Sequence, residues 1–265
     1  MRFGYDGTAF HGWARQPGAR TVEGEIREGV VRQRIDRRTE LPHLPVASRT
    51  DRGVSARANV LAIESELPGA ALLRTLNGIA PEIYFTAAAP ISPDFRIRAA
   101  TRRTYRYFEP PGDQRLAVWR RACRWFVGDV DVRSFGRAID ARAALVRTIE
   151  SIRVDPVGGG FEVEITAPSF VWNEVRKIVA ALRWVDAGRL TEERLRAALR
   201  GTARLTLPLA EPERLILWDM ELPIEWTTTW SGPNRQQTAH LADQRAFAWT
   251  RDRILDALPP PTRHA

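Results

Sequence analysis

The chemistry-bearing residues of this sequence are densest in one short stretch, Ala47-Ser48-Arg49-Thr50-Asp51-Arg52-Gly53-Val54-Ser55-Ala56. It gathers a carboxylate, hydroxyl side chains, two guanidinium groups and a glycine in a segment with too little apolar content to be core. The stretch is therefore a turn or a site. Thr50-Asp51-x-Gly53 is ordinary turn chemistry, because an aspartate bonds the backbone that follows it and a glycine accepts positive φ. If it is also a site, Asp51 is the group on which that site turns.

The elements on either side must present this loop. Met1 to Asp6 reads as an opening strand, closed by the Asp6-Gly7 turn signal. Thr8 to Gly18, with His11, Trp13 and Arg15, reads as a loop. Thr21 is placed to cap a helix reaching about Ile35. Glu23 and Glu25 fall in its first turn, where the helix dipole favours them, and Val22, Ile26 and Val30 share a face. Leu44 to Ala47 and Ala58 to Glu64 read as neighbouring strands joined by the Asp51 loop. Leu72, Leu73 and Leu76 then mark a short helix, and Ile83 to Ala87 a strand.

After a connector from Pro90 to Ala100, Arg102 to Phe108 alternates with period two, so Tyr105 and Tyr107 share one face and Arg106 takes the other. Phe135 and Ile139 predict a helix from Val130 to Arg142. Arg147 to Val154 and Phe161 to Thr166 predict a hairpin through Gly158-Gly159-Gly160, with Phe161, Val163 and Ile165 on its buried side. The broadest apolar stripe predicts a helix from Ser169 to about Val185, with Arg176 and Lys177 beside the stripe near its middle. Thr191 caps a further short helix that stops at Gly201, and Leu215 to Met220 closes as a strand.

Strand, helix, strand, strand, helix, strand thus occurs twice. The fold class expected is α+β, with two ferredoxin-like (βαββαβ) halves whose largely antiparallel sheets join around a central cleft. The halves are residues 1–95, which carry the Asp51 loop, and 96–223. Residues 224–265 form a C-terminal tail with a helix from Ala239 to Leu258, for which packing on the body and contact with a partner stand equally open.

Among 265 residues, 44% are hydrophobic, enough for a sizeable core, and the net charge of +8 favours a polyanionic partner such as nucleic acid. Lys177 is the only lysine, so the positive charge is almost all arginine, whose planar fork holds phosphate bidentately and stacks on bases. The single cysteine, Cys123, excludes an internal disulfide and a multi-cysteine zinc site, and His11, His43, His240 and His264 lack ligand spacing. No metal is expected. With no apolar run of membrane-spanning length and no signal-like N-terminus, a cytoplasmic protein without a membrane partner is expected.

Several separated segments together resemble the TruA-type tRNA pseudouridine synthases. Tyr5-Asp6-Gly7 with Phe10-His11-Gly12-Trp13 is similar to that family's opening motif, and Arg49-Thr50-Asp51 with Gly53-Val54 to its catalytic loop. Leu76-Asn77, Phe95-Arg96, Arg103-x-Tyr105-x-Tyr107, Ser134-Phe135 and Phe170 through Val175-Arg176-x-Ile178-Val179 follow in the family's order. Each motif is weak alone, and their shared order over roughly residues 3 to 220 carries the resemblance.

The resemblance implies an isomerase that converts uridine to pseudouridine in tRNA, at positions 38–40 of the anticodon stem-loop, by breaking the N1 glycosidic bond, rotating the uracil and joining C5 to the same ribose. It implies Asp51 as the essential aspartate, acting at uracil C6 or ribose C1′. It implies Tyr105 as the residue that stacks on the uracil and serves the C5 proton step, and Arg176 as the partner of Asp51. Arg49 would hold the flipped nucleotide, with Arg52, Arg96, Arg103, His11 and Trp13 as further RNA contacts. It implies no cofactor and a homodimer with each tRNA crossing both subunits. A non-catalytic tRNA- or RNA-binding module that kept the basic cleft is the competing reading.

Some positions depart from the family pattern. Ser48 stands where a glycine is usual, Arg52 where a small residue is usual and Ser55 where a histidine is usual. Farther on, Glu213-Arg214 replaces a Gly-Leu pair, and Ala180 a glycine.

Overall fold

The computed structural model describes residues 1–35, 44–136, 145–230 and 232–257. The chain opens with β1 (Arg2–Tyr5), which buries Phe3 and Tyr5. A loop leads to α1 (Val22–Arg32), which starts where the sequence predicts because Thr21 Oγ1 accepts from the Gly24 amide at 3.2 Å. β2 (Ser55–Val60), α2 (Gly69–Leu76) and β3 (Ile83–Ala88) follow. The next stretch holds β4 (Arg102–Glu109), α3 (Leu116–Cys123), β5 (Gly128–Asp131), β6 (Val146–Ile149), β7 (Ser151–Val157) and β8 (Gly160–Ala167). It continues through α4 (Glu174–Asp186) and α5 (Glu192–Leu199) to β9 (Leu215–Glu221). β10 (Thr228–Thr229) and α6 (Arg235–Ala257) make the tail.

One eight-stranded sheet crosses the molecule in the order β10-β3-β1-β2-β9-β4-β8-β7. All its pairings are antiparallel except β2 with β9, where Ser55 faces Ile216 and Ala56 faces Leu217 in parallel. That short parallel seam joins the first stretch of chain to the second. Alternate strand residues, among them Phe3, Tyr5, Phe85, Tyr107, Val163, Ile165 and Leu217, meet the apolar stripes of α1, α2, α3 and α4 in a continuous core. Between them lie polar positions such as Arg106, whose guanidinium sits 3.9 Å over the Trp218 ring and bonds Glu162 and Glu164.

The seam explains the first departure from expectation. Leu44 to Ala47 is not a strand; it makes only a bridge between Val46 and Leu61, with the Ala47 amide on Val60 O at 2.8 Å and the Ala62 amide on Pro45 O at 2.9 Å. The outer edge of β2 is divided. Its Ser55 end pairs with β9, which leaves only the Val60 end for the Pro45 segment, and Pro45 brings no N–H. β2 itself begins at Ser55 rather than Ala58, directly after the loop.

The predicted helix from Val130 is absent in its described part: Val130 and Asp131 end β5, and Phe135 is in a turn, packed on Phe126 with ring centroids 5.3 Å apart. Residues 137–142 of that expectation, with Ile139, lie outside the described residues. The strand expected from Arg147 to Val154 is two strands. β6 pairs with β5 in a separate small sheet, and β7 forms the hairpin with β8. Gly158 and Gly159, both at positive φ (+55° and +82°), make the two-residue turn that suits strand twist. α3 was not foreseen, though Trp119 and Cys123, both buried, stand one helical turn apart. α4 starts at Glu174, five residues later than predicted.

The tail is tied to the body at two places. β10 adds to the edge of β3, and the first turn of α6 places the fully buried Gln237 on Asn77 Oδ1 at 3.0 Å and Ile83 O at 2.9 Å. Beyond that turn α6 is largely exposed, Phe247 and Trp249 each at 66%. Among the described residues no helix is long and apolar enough to cross a membrane.

Candidate active site

The Asp51 loop leaves the sheet where β2 changes partner, and several groups fix its backbone. Asn59, fully buried in β2, donates from Nδ2 to Ser48 O at 2.8 Å, while its Oδ1 accepts from the Ser48 amide at 3.3 Å. The Tyr5 hydroxyl and Thr50 Oγ1 are 2.7 Å apart, and burial pushes the Tyr5 phenol up, so it stays a neutral hydrogen-bonding group. The Trp13 amide donates to Thr50 O at 3.1 Å. The Val54 amide closes a turn on Asp51 O at 3.1 Å, with Gly53 at φ +82° supplying the conformation that turn needs. Gly12, at φ +90°, lies against the loop so closely that a Cβ would come within 3.0 Å of the Arg52 amide nitrogen and 3.1 Å of Thr50 O.

The second half brings donors to the carboxylate. Arg176 Nη1 lies 3.4 Å from Asp51 Oδ2, and its Nε donates to Ala210 O at 2.7 Å, which fixes the plane of the guanidinium. Trp172 Nε1 donates to Asp51 Oδ1 at 2.8 Å. Because α4 begins at Glu174, Arg176 sits in its first turn and not mid-helix. The positive end of the helix dipole and the guanidinium therefore point the same way, toward a carboxylate.

Tyr105 projects from β4 into the same space. Its hydroxyl is 3.2 Å from Ser48 Oγ, and its ring meets Phe170 edge-on at 5.2 Å. Burial raises its pKa, with the nearby Asp51 charge acting the same way and the Ser48 hydrogen bond and Arg103 opposing. Ser48, unusual for the family motif, thus bonds to the tyrosine. Ser55 faces elsewhere: its Oγ accepts from the Gly7 amide at 3.0 Å and locks the base of the loop to the start of the chain. Glu213 lies beside the turn, where a Cβ on Gly53 would come 3.0 Å from its Oε1.

Ser48, Asp51, Tyr105, Phe170, Trp172 and Arg176 line a cleft of about 850 Å³. Arg49 and Arg52, both exposed, flank Asp51 at its rim together with the exposed His11. Arg103 also lines it, but its guanidinium is anchored on backbone carbonyls, Ala100 O and Arg98 O at 3.2 Å and Pro168 O more closely, and burial lowers its pKa. Trp13 also lines the cleft, but it is buried, its ring 5.6 Å from Phe3, so it supports the cleft's wall. Arg96 is exposed and off the cleft; Arg98 takes the lining position nearby.

The structure therefore brings Asp51, Tyr105, Arg176, Arg49, Arg52, Arg103 and His11 together and leaves Arg96 apart. Sequence reasoning missed Trp172, Asn59 and Glu174. Glu174 is 2% exposed; its Oε2 accepts from the Val171 amide at 2.7 Å, and burial pushes its pKa up to about 7.

Comparison with known proteins shows the family of the chain. A family model described as tRNA pseudouridine synthase matches residues 122–223. The chain is 38% identical over 231 residues to a tRNA pseudouridine synthase A of Thermococcus gammatolerans, covering 86% of each chain. It is 37% identical over 224 residues to that of Pyrococcus furiosus, covering 83% of this chain and 82% of the relative. To that of Methanosphaerula palustris it is 31% identical over 260 residues, covering 97% and 91%. Among solved structures, a chain of a Cbf5-Nop10-Gar1 complex matches at a TM-score of 0.33 and 14% identity, over 68% of this chain and 44% of that one, a likeness too slight to inform the fold.

Proposed function

Because this chain belongs to the tRNA pseudouridine synthase family and is an isomerase that converts uridine in tRNA to pseudouridine, we propose that Asp51 is its catalytic carboxylate, with Tyr105 and Arg176 as partners. The observation that carries the assignment is the convergence of the two halves on one side chain: Asp51 from the first is met by Arg176 at 3.4 Å from the second, with Tyr105 lining the same cleft.

The reaction exchanges one bond for another on a single ribose. The N1–C1′ bond breaks, the uracil turns, C5 bonds to C1′, C5 loses its proton and N1 gains one. Nothing is oxidised or reduced. Asp51 supplies the carboxylate, either as nucleophile or beside the cation developing at C1′, with the Arg176 guanidinium 3.4 Å away. The buried phenol of Tyr105 is held neutral, which suits stacking on the uracil; its oxygen can take the C5 proton only as it passes its own proton to Ser48 Oγ, 3.2 Å away, and on to solvent in the cleft. Arg49 and Arg52 at the rim are placed to hold phosphates of an extruded nucleotide, since the reacting atoms are inaccessible in a stacked helix.

The target uridines proposed are those of the anticodon stem-loop, and the active form proposed is a homodimer with each tRNA crossing both subunits. Each half is proposed to be ferredoxin-like. The orders β9-β4-β8-β7 and β3-β1-β2 with Pro45–Ala47 beyond β2 support that reading.

Incubation with unmodified tRNA transcripts, followed by chemical mapping of pseudouridine, tests the site. Asp51→Asn is expected to form none while its tRNA affinity stays within about threefold, since one carboxylate is replaced by an isostere outside the phosphate contacts. Pseudouridine formed by that variant at the wild-type rate would remove Asp51 from the chemistry.

A further inference from the structure

Arg176 accounts for one oxygen of the Asp51 carboxylate. The other is held by Trp172, from a turn that the chain builds with unusual care. Residues Val171 to Glu174 form a reverse turn in which the Glu174 amide bonds Val171 O at 3.2 Å. Its third residue, Asn173, sits at φ +70°, one of only two described non-glycine residues with positive φ. Such a conformation is disfavoured for a residue with a side chain, asparagine tolerating it best, and it persists only where the surroundings over-determine it.

The surroundings do so here. The buried Glu174 carboxylate reaches back to the Val171 amide at 2.7 Å and braces the turn from inside. From below, Gly136 approaches so closely that a Cβ there would meet Val171 Cγ2 and come within 2.8 Å of Trp172 O. The result is an indole that is 49% exposed at the cleft yet has its N–H committed to Asp51. A tryptophan held this way is neither core nor an idle surface residue.

We propose that Trp172 is a positioning residue, the second donor that aligns the Asp51 carboxylate, with Glu174 bracing the turn that aims it. Two donors on opposite oxygens fix the rotation of the carboxylate about its Cβ–Cγ bond. One lone pair is thereby turned toward the nucleotide, where a carboxylate held by Arg176 alone could swing. The proposal rests on the assignment of Asp51 as the catalytic carboxylate.

The test separates the ring from its N–H. Trp172→Phe keeps an aromatic ring in the turn and removes the donor; Trp172→His restores a donor, because histidine Nε2 lies two bonds from Cγ as indole Nε1 does. Single-turnover pseudouridine formation is expected to fall roughly 10- to 100-fold in the Phe variant, the worth of a hydrogen bond to a charged group, and to recover at least several-fold in the His variant. The tRNA dissociation constant stays within about twofold in both, because no phosphate contact is altered. Wild-type turnover in the Phe variant, or a His variant no faster than Phe, overturns the proposal. Measured alongside, an active Asp51→Asn enzyme would instead sink the assignment of Asp51 itself, so the two failures are distinct.

Discussion

Glu174 is the residue whose protonation state the structure disturbs most consequentially near the cleft. Burial raises its pKa to about 7, and the Val171 amide and the Arg147 charge only partly offset that. An unfolded glutamate ionises near 4.3, so below that pH the group is neutral in both states and folding is not penalised. Between about 4.3 and about 7 the unfolded state ionises and the folded state does not, so this contribution to stability falls with rising pH and then levels off. Glu174→Gln keeps an oxygen acceptor for the Val171 amide. It is expected to stabilise the protein by roughly 1–3 kcal/mol at pH 8 and by much less at pH 5, read from denaturant midpoints. A variant no more stable at pH 8 than at pH 5, each relative to wild type, would show that the carboxylate is not held out of water as described. At this scale the meeting of Asp51, Tyr105 and Arg176 in one cleft was legible because their types and order match a known pattern, while their roles in the reaction stand as proposals. Trp172 was not: Ser169 to Val185 carries a continuous helical stripe, and nothing in its spacing reveals that Asn173 adopts a left-handed conformation and frees Phe170 to Trp172 from the helix.

At the scale of elements, the loop depends on what lies beneath it. Gly12→Ala would place a methyl group 3.0 to 3.2 Å from the backbone of Thr50, Asp51 and Arg52, at a φ of +90° that alanine disfavours. The expected cost is about 1–2 kcal/mol in stability. Turnover is expected to drop further than stability explains, on the order of 10-fold at temperatures where the variant is fully folded, because a displaced carboxylate loses its attack geometry. Full activity in the folded variant would mean that the loop adjusts freely. A second support acts on Arg176. Arg183 of α4 bonds Glu109 of β4 and Glu211, and the Glu211 carboxyl is held down to about 2 chiefly by that arginine. Glu211 adjoins Ala210, whose carbonyl orients Arg176, so the ion network keeps that carbonyl in place. Elements with clean alternation or capped ends, such as β1, α1, β4, β8 and α5, were readable from sequence. Those decided by partners were not: Pro45–Ala47 reads as a strand until β9 takes half of its pairing edge, and Ser151 begins β7 only because β6 leaves for another sheet.

For the whole molecule, the tail contributes to stability only near its attachment. Truncation after residue 238 keeps β10, Asn234 and Gln237 and is expected to leave the melting temperature within about 2 °C, whereas Gln237→Ala, which removes the buried donor to Asn77 Oδ1 and the Ile83 carbonyl, should lower it by several degrees. Equal melting temperatures for Gln237→Ala and wild type would show that α6 is not anchored there. The two halves are joined in the sheet by the parallel pairing of β2 with β9, and that seam has a temporal consequence. β9 lies at residues 215–221, so a growing chain can pair β1, β2 and β3 once residue 88 has emerged, with the Asp51 loop already formed but facing solvent. Arg176 and Trp172 are synthesised later, and the strand that sets them against Asp51 comes later still. A nascent chain thus carries the Asp51 loop without its partners from α4 and the turn before it, and the constellation around the carboxylate closes only once the last central strand is added.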